Sequence, residues 1–399
     1  MNDQISIRQV WLLISTSIIS VALIFQPAYI VRAAGKDAWL AVAITAAIAI
    51  PTAVLVVLPG LRFPGQSFAQ YAESILGTIP GKLISLVYVI IFTILLADVL
   101  RQFGDLFTVG IMPYTPISIF IGILLLVSSF TVHAGIKVLA RAAEIIGPLV
   151  FLFIYLVLIF SLPHADVSNI SPILEQGWGP VLSGVSAQMP FMPQIIITAF
   201  LLDKVKNPQS VIKAALGYVL LVGFTLTIIC LFITMVFSEE YANMLFVPLL
   251  TLSRLIEIPG SLAKVDPGIV ALWILGGFLK ISVLHYIIVT TLKDIIGMRD
   301  YRPLILPTGL IAASLSLLMF SNFIEIENFT LKAMSIYHSV FFIGIPALML
   351  LVAVLRHKGE STVTVLRETW HSVRTDVADF FNKLKQLFSD IVLSFESEP

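Results

Sequence analysis

Cysteine is almost missing from this chain: Cys230 is the single thiol in 399 residues. One thiol cannot close an intrachain disulfide or build a cysteine-rich metal site. Charge is nearly as scarce. Asp, Glu, Lys and Arg make up 12% of the residues, with 24 basic side chains balanced by 24 acidic ones. No basic block stands out, which argues against nucleic acid as a partner. The six histidines are scattered without metal-ligand spacing. A Walker-type phosphate loop and a G-x-S-x-G elbow are both missing. No cofactor is implied, and the residues do not read as an enzyme.

What is abundant is apolar. Hydrophobic residues make up 58% of the chain, with a mean hydropathy of +1.00. A soluble protein of this size does not run on so little charge, so the chain reads as an all-α, multi-pass membrane protein. The polar stretch Met1 to Gln9 leads straight into a long span and reads as having no cleaved signal peptide.

At about 20 apolar residues per crossing, ten spans are predicted: 9–33, 38–59, 82–105, 116–134, 138–162, 183–202, 209–237, 267–296, 303–323 and 333–355. With both ends cytoplasmic, ten lysines and arginines between Arg62 and Arg302 fall inside and six, Arg32 to Lys332, outside; cytoplasmic loops carry that excess. The long outer loop 163–178 carries neither residue. The segment 239–266, with Glu239, Glu240, Arg254, Glu257, Pro259 and Asp266, is too polar to span. It is expected to form an outer loop with a short helix along the membrane face.

Ten spans divide as five plus five, which makes spans one and six equivalents in an inverted repeat. Span one carries Gln26-Pro27, where proline removes a donor and crowds the preceding turn. Span six carries Gln188, Pro190, Pro193 and Gln194. Two broken helices at matching places are the pattern of inverted-repeat transporters, whose ligand sites lie near the bilayer midplane. The plain alternative is two proline kinks without a ligand.

Residues 1–358 are expected to form the membrane domain and 359–399 a cytoplasmic amphipathic tail. In the tail Leu366, Trp370, Val373, Val377, Phe380, Leu384, Leu387 and Ile391 recur at steps of four and three, a heptad pattern. Its charges nearly cancel, whereas a lipid-surface helix gains from a basic face. Docking on a partner protein is therefore favoured over lipid, with both open.

Lys280 sits mid-span in Gly276-Gly277-Phe278-Leu279-Lys280. An ammonium at that depth faces a cavity or a partner, and the two glycines one turn earlier allow another backbone close. Two roles are open: contact with a ligand carboxylate or with carbonyls freed in span one, or a structural bridge to a buried acid. His285, five residues on, is expected to point elsewhere. Asp98 and Arg101 have i,i+3 ion-pair spacing, or alternatively line an outer gate. Arg141 and Glu144 repeat that spacing.

Several stretches together resemble the spore germination permease family, the GerAB-type B subunit of endospore nutrient receptors, in the amino acid/polyamine/organocation transporter superfamily. They are Arg32 to Trp39 after span one, Pro80-Gly-Lys82, Thr115-Pro116, Ala134 to Arg141, Ser171 to Gly179, Phe246-Val-Pro248 with Arg254, and Asp266 to Trp273. The likeness covers about residues 5–356. It implies a ten-span inverted repeat in the spore inner membrane, working with receptor A and C subunits. It also implies a small germinant, commonly an amino acid, bound where transporter relatives bind substrate. On this chain those positions are Ser20, Ala22 and Gln26; Ile91; Met189, Met192 and Gln194; and Leu279 with Lys280. Relatives commonly have glycines where span one unwinds, whereas Ser20-Val21-Ala22 has none. The rival reading is a proton- or cation-coupled amino acid transporter.

Overall fold

The computed structural model of the chain describes residues 4–375 apart from 111, 246, 257–265, 321–322 and 373. Among the described residues the architecture is helical, with one isolated parallel bridge between Ile5 and Val205. Helix α1 (Ile7–Ala34) starts at a capping box in which Ser6 and Gln9 bond each other's backbone. It ends at Gly35, whose φ of +57° favours glycine. A 3-10 turn, Gly35–Asp37, leads into α2 (Ala38–Leu61). The predicted break in span one does not occur: α1 runs through Gln26-Pro27 unbroken. Proline's fixed φ is itself helical, so the cost is one lost donor and local crowding. Burial outweighs it. Nearly every α1 residue from Leu12 to Val31 is buried against α6, α7, α8 and α11, and a helix apolar all round is stable only inside such a bundle.

Span six does break. Helix α7 (Trp178–Gln188) stops at a turn over 189–191, and a 3-10 helix, Met192–Phe200, continues it. Pro190 and Pro193 lack the amide donors that an α-helical ladder needs there.

The other crossings match their predictions closely: α4 (Thr78–Gly110), α5 (Ile117–Ala134), α6 (Ile136–Ser161), α8 (Val211–Val236) and α11 (Asp266–Ile296). Helix α12 (Ile305–Leu318) is shorter than expected. The last span is longer and opens earlier, through α13 (Phe323–Asn328), α14 (Ser335–His338) and α15 (Ile345–Leu355), joined by π-helical turns at Phe329–Met334 and Ser339–Gly344. Among the described residues seven stretches are long and apolar enough to cross a membrane, Ile7–Leu61 counting as one, with Arg302–Leu318 as a shorter apolar helix. At 1.5 Å per residue its 55 residues would reach about 80 Å, far beyond one hydrocarbon core; the turn at Gly35 divides it.

One element escaped the sequence reading: α3 (Phe68–Leu76), where Ser67 N–H donates to Gln70 Oε1 at 2.9 Å. In place of one short outer helix there are two, α9 (Glu239–Met244) and α10 (Pro248–Arg254). Glu257, Pro259 and Lys264 lie outside the described residues. The loop before α7 is tied to the α1–α2 turn: both Asp37 carboxylate oxygens accept from Leu174 N–H at 3.1 Å, and Lys36 pairs with Glu175.

The tail is helical over 362–372 and docks on its own membrane domain. Arg62 donates to Lys358 O at 2.7 Å and to the Thr362 hydroxyl, while Gln209 meets Glu368 at 3.1 Å and Lys213 meets Ser372 O at 2.9 Å. The face turned inward is not the heptad stripe. Val365 and Thr369 are buried, Leu366 packs at the edge, and Trp370 is 66% exposed. Val373, Val377, Phe380, Leu384, Leu387 and Ile391 lie outside the described residues.

Candidate functional site

The break in span six is where the chain exposes backbone to side chains. In an α-helix the Gln194 N–H would bond to Pro190 O; here it bonds to Phe191 O at 3.2 Å, in the tighter 3-10 pattern. Two side chains take the carbonyl that is released. Gln194 Nε2 donates to Pro190 O at 3.0 Å, and His338 Nδ1 donates to the same oxygen at 2.5 Å. Lys280 completes the chain, its Nζ donating to Gln194 Oε1 at 2.5 Å. Lys280, Gln194 and His338 are all essentially fully buried. Lys280 thus bridges to no buried acid among the described residues and reaches no span-one carbonyl, but bonds the polar elbow of span six.

Asp98, also buried, lies within electrostatic reach of Lys280 without an ion pair among the described residues. Its Oδ2 accepts from Gln102 Nε2 at 2.8 Å and its Oδ1 has no partner among the described residues. His338 Nε2 and the Tyr337 hydroxyl are likewise unpartnered. An acidic and a basic group are therefore held apart around one break, with polar capacity left over. Buried polar groups rarely go unpaired in a finished core, so such a group points to a ligand or ordered water.

Aromatic rings close one side of this centre. Phe200, at the end of the 3-10 helix, stacks on Phe68 at 3.9 Å and meets Tyr88 and Phe92 at 5.2 and 4.9 Å. Phe342 stacks on the His338 ring at 4.3 Å, and the Tyr88 hydroxyl donates to Phe341 O at 2.5 Å.

The expected site residues divide between surroundings. Gln194 and Lys280 meet directly. Ser20 packs on Gly276, where a Cβ would run into the serine side chain, and its hydroxyl bonds back to Thr16 O at 2.7 Å. The space at the two glycines is taken by side chains, where another backbone was expected: Ser20 at Gly276 and the Phe103 ring at Gly277. Ile91 and Leu279 are core residues. Met189 lines an outer groove with Ser335 and Ser339. Ala22, Gln26 and Met192 line a separate cavity against α2 and α8.

The expected Asp98–Arg101 pair does not form. Arg101 Nε instead reaches Asp105, one helical turn on, at 3.1 Å, and its Nη1 donates to Phe320 O at 2.5 Å and Ser316 O at 3.3 Å, at the end of α12. The i,i+4 partner and free terminal carbonyls offer Arg101 more hydrogen bonds than Asp98 does. Glu144 also declines Arg141 and accepts from Gln9 Nε2 at 3.1 Å. His285 turns away from Lys280, as expected, to Ile305 O at 3.0 Å and Thr308 Oγ1 at 3.2 Å. Sequence reasoning missed His338, Tyr337 and Gln102, and placed Gln188 at the break without a site role. A histidine within an apolar span and an amide four residues after Asp98 were the available signals.

The sequence profile described as "Spore germination protein" matches residues 4–324. The chain is 29% identical over 360 residues to Spore germination protein KB of Bacillus subtilis strain 168, covering 89% of this chain and 96% of that protein. It is 23% identical to YndE of the same organism, over 81% of this chain and 89% of the relative, and 27% identical to Spore germination protein XB of Bacillus anthracis, over 65% and 72%. Among solved structures, MhsT in complex with L-phenylalanine superposes with a TM-score of 0.68 at 14% identity, over 92% of this chain and 93% of that one. A substrate-bound, outward-open Na+-coupled sialic acid symporter gives 0.60 at 15% identity, over 84% and 78%.

Proposed function

Because the chain belongs to the spore germination protein family, we propose that it is the membrane-embedded, ligand-binding subunit of a nutrient germinant receptor. It crosses the spore inner membrane ten times as a 5+5 inverted repeat and works with receptor A and C subunits. Residues 1–358 form the permease-like domain and 359–399 its cytoplasmic tail. The ligand is a small nutrient of amino-acid type, bound near the midplane at the span-six break. One observation carries this reading: Lys280 and Asp98 are buried around that break without pairing to each other. An amino acid brings the complementary pair, its carboxylate for Lys280 and its ammonium for the free Asp98 oxygen. Lys280 has two further N–H donors beyond the one given to Gln194. Binding acts as a signal only through different affinities for two arrangements of the repeats. The polar elbow and the Phe200 ring share one 3-10 helix, which gives such a difference a route outward.

A second reading is proton- or cation-coupled amino acid transport. The fold shared with two transporters supports it, but a fold alone does not carry an activity. Paired binding and uptake with a labelled amino-acid panel, using the full chain alone in liposomes, separates the two. Saturable binding without accumulation under a proton or sodium gradient is the expected result. Gradient-driven accumulation makes the protein a transporter, and absence of binding to any member of the panel removes the amino-acid reading.

A further inference from the structure

The cavity that takes Ala22, Gln26 and Met192 lies on the other face of the same break. It is a partly open cavity of about 40 Å³ between α1, α2, α8 and the α7 elbow. Gln26, Gln188, Thr45 and Tyr218 line it together with Phe191 and Met192, and the remaining wall is alanine, valine, leucine, isoleucine and one glycine. Among the described residues no acidic or basic side chain lines it. Gln26 and Gln188 are 1% and 5% exposed, and the amide oxygen of each has no hydrogen-bond partner among the described residues. The Thr45 hydroxyl is already spent on Ala41 O at 2.8 Å. Two carboxamides, each with an acceptor and two N–H donors, therefore come from different helices into a mainly apolar chamber that Thr45 and Tyr218 also line.

We propose that this cavity is a second ligand site, for a small uncharged molecule that carries both a hydrogen-bond donor and an acceptor on a short apolar body. A carboxamide or an alcohol has that chemistry; a zwitterion does not, because burying an ion without a counter-charge costs far more than the cavity returns. The two sites share the elbow. Gln188 and Met192 flank Pro190, whose carbonyl holds Gln194 and His338 on the opposite face. A neutral ligand there braces the break from behind and modulates what binds in front. The site's existence does not depend on the identity of the ligand in front.

The test uses three probes of one shape on the full chain in lipid nanodiscs: isobutyramide, isobutyrate and isobutylammonium, followed by titration calorimetry and thermal shift. The amide is expected to bind saturably and each ion at least about a hundredfold more weakly. Gln188→Leu and Gln26→Leu are each expected to weaken the amide about tenfold, the scale of one lost buried hydrogen bond. The amide oxygens they remove hold no partner in the fold, so the variants are expected to keep their thermal transition. Equal binding of the three probes, or amide binding unchanged in both variants, overturns the proposal and leaves a structural void. Loss of amide binding in Lys280→Met also overturns it, by assigning the probe to the front site. Amino-acid binding, measured separately, reports on the front site alone.

Discussion

A buried lysine whose one hydrogen-bond partner is an uncharged amide is a poor stabilising device, because the cost of removing an ammonium from water exceeds the return from one such bond. Lys280→Met is therefore expected to leave the thermal transition of the purified protein unchanged or raised, while weakening amino-acid binding by more than about tenfold. A structural role for Lys280 gives the opposite split, lost stability with retained affinity. Asp98→Asn keeps an oxygen for the Gln102 amide and removes only the charge. It too is expected to weaken amino-acid binding about tenfold or more, since a charge-assisted bond is roughly twice as strong as a neutral one. Wild-type affinity in both variants, measured by equilibrium binding, would remove the charge pair from the site. Arg101 shows how local spacing misleads at this scale. It has two acids within reach along its own helix, and what settled its choice was α12, whose end lies far away in sequence.

Between the elements α1 and α11, Ser20 is set directly on Gly276. Gly276→Ala places a methyl group into the serine side chain and is expected to cost about 1–3 kcal/mol, read as a lower thermal transition in detergent. Ser20→Gly in the same chain vacates the space and is expected to recover most of the loss, a coupling that a double-mutant cycle measures. Additive effects would mean that the two helices do not meet there. The two interrupted-helix predictions came out differently for a reason of the same scale. Span one has one proline inside a helix buried on every side, whereas span six has two, three residues apart. A single missing donor is absorbed by packing. Two in one turn leave the α-helical ladder no run to continue, and the chain shifts to 3-10 bonding.

Across the whole molecule, the C-terminal segment is drawn back onto the helical bundle through Arg62. This guanidinium gathers Lys358 O, Ala353 O and the Thr362 hydroxyl. Arg62→Ala is expected to free the tail, seen as faster tryptic cleavage at Lys358 and Arg367 with no change in the thermal transition of the membrane domain. Cleavage at the wild-type rate would place the anchor elsewhere, at Gln209 and Lys213 on the α8 side. The exposed Trp370 is then an apolar group that the membrane domain itself does not cover.

Much of this was readable in the sequence because a bilayer makes backbone bonding local. Each span has to satisfy its own N–H and C=O groups, so apolar length alone marked most crossings, and paired prolines marked the elbow of span six. Lys280 stood out by its cost at that depth. What only the tertiary structure decided were the choices between partners that hydropathy cannot rank. Lys280 took Gln194, some 86 residues away; Arg101 took α12; Pro27 stayed helical inside a full shell of neighbours; and the tail turned Val365 inward in place of Trp370. The site residues inferred from resemblance parted in the same way. Gln194 and its neighbour Met192 sit two residues apart in a 3-10 helix, where such positions face different directions. One joined the charged centre and the other the uncharged cavity behind it.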